Sequence, residues 1–255
     1  MRKFNFVFDK SNKAITLKKI ICKRFRNFSA NNSDAIVVGG GDGFMLKTIK
    51  KLYKFKKPFY GINCGSVGFL LNKYGTNKIQ EKINKAKITI INPLQVQTTN
   101  NVRRRSSFLA INELSLFRQS KQTSLLKLII NNKTLIKKLI GDGILLSTPA
   151  GSTAYNLSVN GPILSLNSKK IAITPISPFR PRRWKGKIIS ESKSIYILNL
   201  DPKKRPVAAV ADNNEIRNIV KVKVSINKAI KFKLLFNSSE SLYKKIKSEQ
   251  KRKIS

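Results

Sequence analysis

The sequence predicts a two-part fold, in which an α/β domain is followed by a β-rich domain. Before residue 92, short apolar runs alternate with segments of helical periodicity and with glycine-rich loops, which is the pattern of a parallel sheet covered by helices. After residue 92, short apolar runs follow one another between turn residues, and this spacing is typical of a strand-rich domain. We therefore expect an α/β domain over 1–91 together with 236–255, and a β-rich domain over 92–235.

The α/β domain begins with a predicted strand over 4–8, where phenylalanines alternate with other residues. Apolar residues at helical spacing over 12–25 favour a basic amphipathic helix. A β-branched run over 34–38 then stops at a glycine cluster, helical periodicity resumes over 44–52, and another strand is expected over 58–63. Ligands bind where the parallel strands of such a Rossmann-like sheet end, so the glycine cluster is a candidate site.

The β-rich domain is predicted from apolar runs of strand length. These runs cover residues 107–109, 125–130, 144–147, 171–174, 194–200, 207–210, 220–225 and 230–235. Beyond them, apolar residues within the charged segment 238–251 predict a terminal helix.

The chain of 255 residues carries a formal net charge of +40, with 52 basic and 12 acidic residues. Such a field attracts nucleic acids, acidic membranes and phosphorylated molecules. The basic residues are mostly lysines spread along the whole chain beside many isoleucines and asparagines, which is also the composition that A/T-rich codons produce. Some nonspecific affinity for polyanions follows in either case, so charge alone does not name the function.

Histidine is absent from the sequence, so a general base must be an Asp, Glu, Lys, Tyr or Cys side chain. The two cysteines, Cys22 and Cys64, lie far apart and lack the spacing of metal ligands. We expect neither a disulfide framework nor a zinc site, and a reducing cytoplasm fits this composition. No apolar run approaches the roughly 20 residues of a membrane span, and the N-terminus lacks the pattern of a signal peptide.

The first chemical motif is the run Gly40-Gly41-Asp42-Gly43 at the predicted strand-to-helix junction. Glycines there allow positive φ and let backbone N–H groups approach a ligand, and a helix N-terminus behind them favours phosphate. Asp42 can accept a hydroxyl proton or help to hold Mg²⁺. The run matches neither a Walker A loop nor the dinucleotide fingerprint. Its alternative interpretation is a tight turn in which Asp42 caps the following helix.

Two further motifs follow in the β-rich domain. A strand that begins after Asp142 leads into small and hydroxylated residues over 147–158, where serine and threonine hydroxyls can bind adenine or ribose and Tyr155 can stack. Asn112 and Glu113 follow an apolar run, and an amide beside a carboxylate can bind the vicinal hydroxyls of a sugar. By itself this pair is more often part of a solvated loop.

In their order and approximate spacing, these motifs and the segment 61–70 resemble the NAD kinase family, over almost the entire chain. The run 147–158 is the most specific part of the resemblance. Residues 176–184 are similar to the bacterial branch of the family, particularly its alphaproteobacterial members. The glycine–aspartate loop alone is shared with diacylglycerol kinases and 6-phosphofructokinases.

The resemblance implies transfer of the terminal phosphoryl group of ATP, or of polyphosphate in some members, to the 2′-hydroxyl of the adenosine ribose of NAD, which gives NADP. It implies that Asp42 is the catalytic residue, that Mg²⁺ enters with ATP, with Asp42 as the one protein group that could contact it, and that Asn112 and Glu113 bind ribose. The other nucleotide-binding positions that it implies are Gly40, Gly41, Gly43, Phe69, Asp142, Thr153, Ala154, Tyr155, Ser158 and Asn213. It also implies a sandwich-like second domain, a last helix that returns to the first domain, and a homodimer or homotetramer.

Two alternatives stay open at this point. A lipid or diacylglycerol kinase would share the glycine–aspartate loop and could use the positive charge at acidic membranes, although no large apolar anchor is evident. A basic nucleic-acid-binding protein is suggested by the arginine clusters at 103–105 and 180–184, although these clusters are short and no recognition module accompanies them. The sequence does not decide between ATP and polyphosphate, or whether NADH is accepted.

Overall fold

The computed structural model describes residues 2–66, 68–238 and 245. The chain divides into two compact units. Unit 1 consists of Met1–Ile91 with Lys231–Ser255, and unit 2 consists of Asn92–Ile230. In the described part of the chain, no helix is both long and apolar enough to cross a membrane.

Unit 1 is a sheet flanked by helices. Its elements are β1 (Phe4–Phe8), α1 (Asn12–Arg24), β2 (Ala35–Gly40), α2 (Asp42–Leu52), a 3₁₀ turn (Tyr53–Phe55), β3 (Phe59–Asn63), α3 (Ile79–Lys85), β4 (Lys87–Ile91) and β17 (Phe232–Phe236). The strand order is β1-β2-β3-β17-β4. The pairs β1–β2, β2–β3 and β3–β17 are parallel, and β4 runs antiparallel to β17.

The first predicted strand and helix are confirmed. Helix α1 begins after Ser11, whose hydroxyl accepts the N–H of Ala14 at 3.4 Å, and it ends with Lys23 and Arg24 in its last turn. Such an N-cap and such cations stabilise the two ends of a helix. Its buried face, which includes Leu17 and Ile21, packs with Phe4 and Val37 in one core.

Unit 2 consists mainly of strands. Its elements are β5 (Leu94–Asn100), β6 (Arg105–Ala110), β7 (Glu113–Arg118), β8 (Ser124–Ile130), β9 (Lys133–Gly141), β10 (Gly143–Ser147), a 3₁₀ turn (Gly151–Thr153), α4 (Tyr155–Ser158), β11 (Lys170–Ile176), β12 (Lys187–Ser190), β13 (Ile195–Asn199), β14 (Val207–Ala211), β15 (Asn214–Ile216) and β16 (Ile219–Ile226). They form two six-stranded antiparallel sheets, β12-β11-β10-β7-β14-β15 and β6-β5-β16-β13-β8-β9.

One apolar core joins the inner faces of these two sheets. Leu94 and Val222 of the second sheet belong to the same buried cluster as Leu116 and Ile144 of the first. Alternation of buried and exposed residues along β16 is the pattern of a sheet with one face packed and one in water. Unit 2 is therefore a β sandwich, and the predicted combination of an α/β domain and a sandwich-like β domain is confirmed.

The predicted strand over 230–235 belongs to unit 1, not to the β-rich domain in which we placed it. Leu234 of β17 pairs in parallel with Phe59, and Phe232 pairs with Ile91 in the antiparallel direction. The apolar run thus fills the gap between β3 and β4, a long-range pairing that local periodicity does not reveal. The predicted terminal helix over 238–251, and with it the implied return of a last helix to the first domain, lies outside the described residues except at Lys245.

Candidate active site

The glycine–aspartate loop lies where β2 passes into α2. Gly41 is the N-cap of α2 and Asp42 is its first residue. A methyl group added at Gly41 or at Gly43 would meet no other atom within 4 Å, so the backbone here faces open space that a ligand can enter. The positive φ that glycine allows is not used in this loop: Gly41 has φ of −93°, and among the described glycines positive φ occurs at Gly186. The absence of a side chain at Gly41 and Gly43 therefore lets a ligand approach the backbone closely, and no unusual backbone conformation is involved.

The Asp42 carboxylate binds the turn that follows β3. Its Oδ2 accepts the N–H of Phe69 at 2.7 Å, and its Oδ1 accepts the N–H of Leu70 at 3.0 Å. The alternative in which Asp42 caps α2 is wrong, because α2 has no side-chain cap. Burial raises the pKa of Asp42, while the two backbone hydrogen bonds and the charge of Lys245 lower it in part. Each carboxylate oxygen keeps a second acceptor position for a ligand.

The same turn is bound from its carbonyl side by Lys245. The Lys245 ammonium donates to the carbonyl of Phe69 at 3.2 Å and also to the carbonyl of Leu71. Asp42 and Lys245 thus hold one short segment through its N–H and C=O groups. Phe69, which we predicted to contact nucleotide, is half-buried in this turn.

In unit 2, the predicted pair Asn112-Glu113 lies where β7 begins, and Asp212 anchors it. The Oδ1 of Asp212 accepts the N–H groups of Asn112 at 2.8 Å and of Glu113 at 3.3 Å, while its Oδ2 accepts the N–H of Ile111 at 2.8 Å. Three consecutive backbone donors are therefore fixed by one carboxylate, about one hundred residues away in sequence. Charge-assisted hydrogen bonds of this kind are stronger than neutral ones.

Two buried oxygens of the pair lack hydrogen-bond partners within the described residues. They are Oδ1 of Asn112 and Oε2 of Glu113. Burial raises the pKa of Glu113 to about 8, and the nearby charge of Asp212 contributes to the increase. Unpaired buried polar atoms are uncommon and require an explanation, and a ligand with hydroxyl groups would satisfy both.

The small residues after β10 shape the wall behind Asn112. A methyl group added at Gly151 would lie 2.2 Å from the Asn112 carbonyl oxygen, so only glycine permits this approach. The Thr148 hydroxyl donates to the carbonyl of Ile111 at 2.7 Å, and Ser147 and Ser152 donate to the carbonyls of Thr148 and Pro149. These three hydroxyls hold the loop together, and the binding of adenine or ribose by hydroxyls of this run stays a prediction.

A cavity of about 540 Å³ opens beside Glu113 on the outer face of the β7–β14 part of the sheet. Tyr155, at the start of α4, lines it and is 38% exposed, as stacking on a ring requires. Besides Glu113, its lining includes Asp212, Glu215 and the guanidinium groups of Arg118 and Arg217, and Arg217 donates to Glu215 at 2.7 Å. The cavity therefore combines aromatic rings, three carboxyl groups and two guanidinium groups, and its volume suits a small ligand.

The remaining predicted residues of unit 2 lie around this sheet. Asp142, just before β10, accepts the Arg118 Nε–H at 2.5 Å, so its side chain is paired within the unit. Thr153 is buried and Ala154 half-buried, whereas Ser158 at the end of α4 and Asn213 in the β14–β15 turn are exposed.

Three site residues were missed by sequence reasoning: Asp212, Arg118 and Lys245. Asp212 could have been found, because the chain has only 12 acidic residues and this one lies two residues after the predicted strand over 207–210. Arg118 and Lys245 gave no signal, because lysine and arginine occur throughout the chain.

The chain combines an α/β unit that has a glycine–aspartate loop at a strand end with a β sandwich that has a cavity. Beside this cavity, two buried acceptors lack partners among the described residues. This combination is that of a kinase that phosphorylates a hydroxylated nucleotide. Residues 2–87 match the family model described as the ATP-NAD kinase N-terminal domain, and residues 111–237 match that of the ATP-NAD kinase C-terminal domain. The chain belongs to the NAD kinase family, and NAD kinase is the enzymatic function that this membership shows.

Curated relatives and solved structures agree. The chain is 42% identical to the NAD kinase of Caulobacter vibrioides over 90% of this chain and 88% of that protein, and 40% identical to the NAD kinase of Rhizobium meliloti over 98% of both. The fold is similar to an Archaeoglobus fulgidus NAD kinase in complex with ATP, with a TM-score of 0.77, 21% identity and coverage of 96% of this chain and 99% of that one. It is also similar to yeast NADH kinase complexed with NADH, with a TM-score of 0.81, 19% identity and coverage of 100% of this chain and 89% of that one.

Proposed function

We propose that the protein transfers the terminal phosphoryl group of ATP to the 2′-hydroxyl of the adenosine ribose of NAD, which gives NADP. Family membership supports the reaction, and the unpaired buried oxygens of Asn112 and Glu113 are the observation that carries the proposed recognition of a sugar. The alternatives of a lipid kinase and of a nucleic-acid-binding protein account for neither.

The ribose-binding role belongs to Asn112 and Glu113. An amide oxygen and a carboxyl group, each with an oxygen that no described residue bonds, suit two neighbouring hydroxyl groups. Because the pKa of Glu113 is raised to about 8, its carboxyl carries a proton at neutral pH and can donate as well as accept. We assign Tyr155 to stacking on the nucleotide, and Thr153, Ala154, Ser158, Asp142 and Asn213 to its further contacts.

Asp42 is the proposed acceptor of the hydroxyl proton. It follows the carboxyl end of a parallel strand and lies beside backbone that faces open space. A raised pKa makes its carboxylate a better base than an ordinary aspartate. Phosphoryl transfer depends chiefly on positioning and on charge neutralisation, so one weak base is sufficient and no histidine is needed.

We assign the phosphate groups of ATP to the glycine loop and the N-terminus of α2, where Gly41 and Gly43 leave the backbone accessible, whereas Gly40 is buried against Phe44 and Asp9. Helix N-termini favour phosphate because N–H groups point outward there. Among the described residues, no group of three Asp, Glu or Cys side chains could hold a metal ion, so we propose that Mg²⁺ enters with the ATP phosphates and takes at most the Asp42 carboxylate from the chain. Bound there, Mg²⁺ would neutralise charge on the transferred group.

We further propose a cytoplasmic location and a homodimeric or homotetrameric assembly, as the resemblance to the family implies. Both described cysteines are free, which suits a reducing compartment. Size-exclusion chromatography with light scattering distinguishes a dimer from a tetramer.

The test of the proposed function is NADP formation by purified protein supplied with NAD, ATP and Mg²⁺. We expect Asp42→Asn to lower turnover by about 100-fold or more, because general-base catalysis contributes about that much. Asp34→Asn is the matched control, since Asp34 precedes the same strand at its other end, and it should retain wild-type turnover. Near-normal turnover in Asp42→Asn would remove Asp42 from the mechanism, and no NADP from wild type with either ATP or polyphosphate would overturn the assignment.

A further inference from the structure

A second groove lies on the outer face of the other sheet of unit 2. It has a volume of about 480 Å³ and crosses strands β6, β5, β16 and β13. Strand register explains which side chains share it, since paired residues of neighbouring strands face the same side. Tyr196 pairs with Lys223, Lys223 with Gln97, and Gln97 with Ser107.

A parallel row lies two residues along the strands. In this row Lys221 pairs with Thr99, and Thr99 pairs with Arg105. Lys221 and Lys223 both approach the Tyr196 ring, with ammonium-to-centroid distances of 5.4 and 5.6 Å. Three cations thus converge on a face only four strands wide, which spans about 15 Å at the usual spacing.

The lining of this groove consists of residues whose side chains carry hydrogen-bond donors. They are Gln97, Thr98, Thr99, Arg105, Ser106, Ser107, Tyr196, Lys221 and Lys223. No purely apolar side chain and no carboxylate contributes to it. Ammonium, guanidinium, hydroxyl and amide donors without a competing acceptor charge are the groups that bind phosphate oxygens.

The whole sheet that contains the groove is basic. Its six strands contain seven basic residues and no Asp or Glu. Elsewhere in unit 2 some exposed cations have acidic partners, as Arg217 has Glu215 and Lys228 has Glu191. Basic residues occur throughout this chain, so what sets the groove apart is that three of them line one concave face together with hydroxyl and amide groups.

We propose that this groove is a second anion site, which binds a compact di- or triphosphate group. The lining by hydrogen-bond donors, three of them cationic, indicates that the phosphates are recognised. The same face of a second copy is excluded as the occupant by charge, because Arg105, Lys221 and Lys223 would face the same three cations without a counter-charge. The sheet face containing the groove is distinct from the one beside Glu113, so the site is additional to the proposed reaction.

The experiment must distinguish anion binding in the groove from binding at the nucleotide-binding residues and from attraction by the net positive charge of the chain. We propose ¹⁹F NMR of the full chain labelled with 3-fluorotyrosine, with the Tyr196 resonance assigned through Tyr196→Phe, and titration with inorganic tripolyphosphate. The groove variant combines Arg105→Gln, Lys221→Gln and Lys223→Gln. A control variant removes the same three charges from the exposed face of α1, by Lys18→Gln, Lys19→Gln and Lys23→Gln. Melting temperature and NADP formation confirm that both variants are folded.

We expect tripolyphosphate to shift the Tyr196 resonance saturably in wild type and in the control. Loss of three charged donors should weaken binding about tenfold or more in the groove variant. ATP should act like tripolyphosphate and AMP should act weakly, because the site recognises consecutive phosphates. An unresponsive Tyr196, or equal weakening in the two variants, would overturn the proposal, because only the diffuse field would then act. Binding that requires a long RNA would also overturn it, in favour of a polynucleotide surface.

Discussion

The two sheets of the sandwich share one apolar core, and they differ in the charges that they present to water. The sheet β12-β11-β10-β7-β14-β15 carries Glu113 and Glu215 in its strands and has Asp142 and Asp212 beside them. The sheet β6-β5-β16-β13-β8-β9 has no acidic residue in its strands. The chain has 12 acidic residues against 52 basic ones, and these four of the 12 thus lie in or beside the strands of the first sheet.

Three of these carboxyl groups differ in what they contact. Glu113 has a buried oxygen without a partner in the described part of the chain, Asp212 holds three backbone N–H groups, and Asp142 pairs with Arg118. The cavity beside Glu113 thus contains charges of both signs, which suits a nucleotide with hydroxyl groups, a ring and phosphates. The donors-only groove of the other sheet suits phosphate alone.

The strongest test of this contrast within unit 2 is Asp212→Asn. An amide can replace only one of the two accepting oxygens, and its NH₂ group would then face a backbone N–H that needs an acceptor. We expect kcat/KM for NADP formation to fall about 100-fold, since a displacement of about 1 Å at a reacting group can have that effect.

The control for this variant is Asp201→Asn. Asp201 is another aspartate of unit 2 that accepts a backbone N–H, from Lys204 at 3.2 Å, and its substitution should leave the kinetics unchanged. Asp212→Asn should in addition lower the pKa of Glu113, because it removes a like charge. Glutamate side-chain ¹³C NMR measures this pKa without reference to activity. An unchanged pKa together with unchanged kinetics would refute the anchoring role.

Much of unit 1 could be predicted from the sequence, because its signals are local. The alternation over 4–8, the helical spacing over 12–25 and the glycine run after a β-branched strand each lie within a few turns of chain, and β1, α1 and the β2–α2 junction follow from them. The place of β17 between β3 and β4 could not be predicted, since it depends on pairing with residues more than 140 positions away.

The candidate site shows the same limit. Asn112, Glu113 and Asp42 could be named from motifs, but the sequence alone did not indicate that Asp212 holds the first two or that Phe69 and Leu70 donate to Asp42. The hydroxyl-rich run was predicted to be a binding loop. In the structure, the hydroxyls of Thr148 and Ser152 donate to the carbonyl groups of Ile111 and Pro149. The composition of a loop indicates that its hydroxyl groups form hydrogen bonds. Which groups accept those hydrogen bonds depends on residues that are brought close only by folding.

A second test concerns pH. Glu113 keeps its proton up to about pH 8 in the folded protein, and its ordinary pKa is 4.5, so between these values the folded state binds more protons than the unfolded state. The free energy of unfolding therefore falls as pH rises from 4.5 to 8. Glu113→Gln cannot titrate, and its melting temperature should decline less over this range than that of wild type.

The matched variant for this test is Glu215→Gln, on the same sheet but exposed. It should retain the wild-type pH profile of the melting temperature. Identical profiles for wild type and Glu113→Gln would show that Glu113 is ionised in the folded protein at neutral pH, and the proposed hydrogen-bond donation to ribose would have to be withdrawn.

The smallest expected effect is that of placing a carboxylate on the acid-free sheet. Lys137 of β9 is exposed and lies outside the groove, so Lys137→Glu should change the free energy of unfolding by less than about 0.5 kcal/mol, as surface substitutions usually do. NADP formation should be unchanged, and urea unfolding measures the stability. Lys223→Glu, inside the groove, should by contrast abolish the tripolyphosphate response of Tyr196. If Lys137→Glu abolished that response as well, the whole basic face would act as one diffuse surface, and the acid-free sheet would contain no defined site.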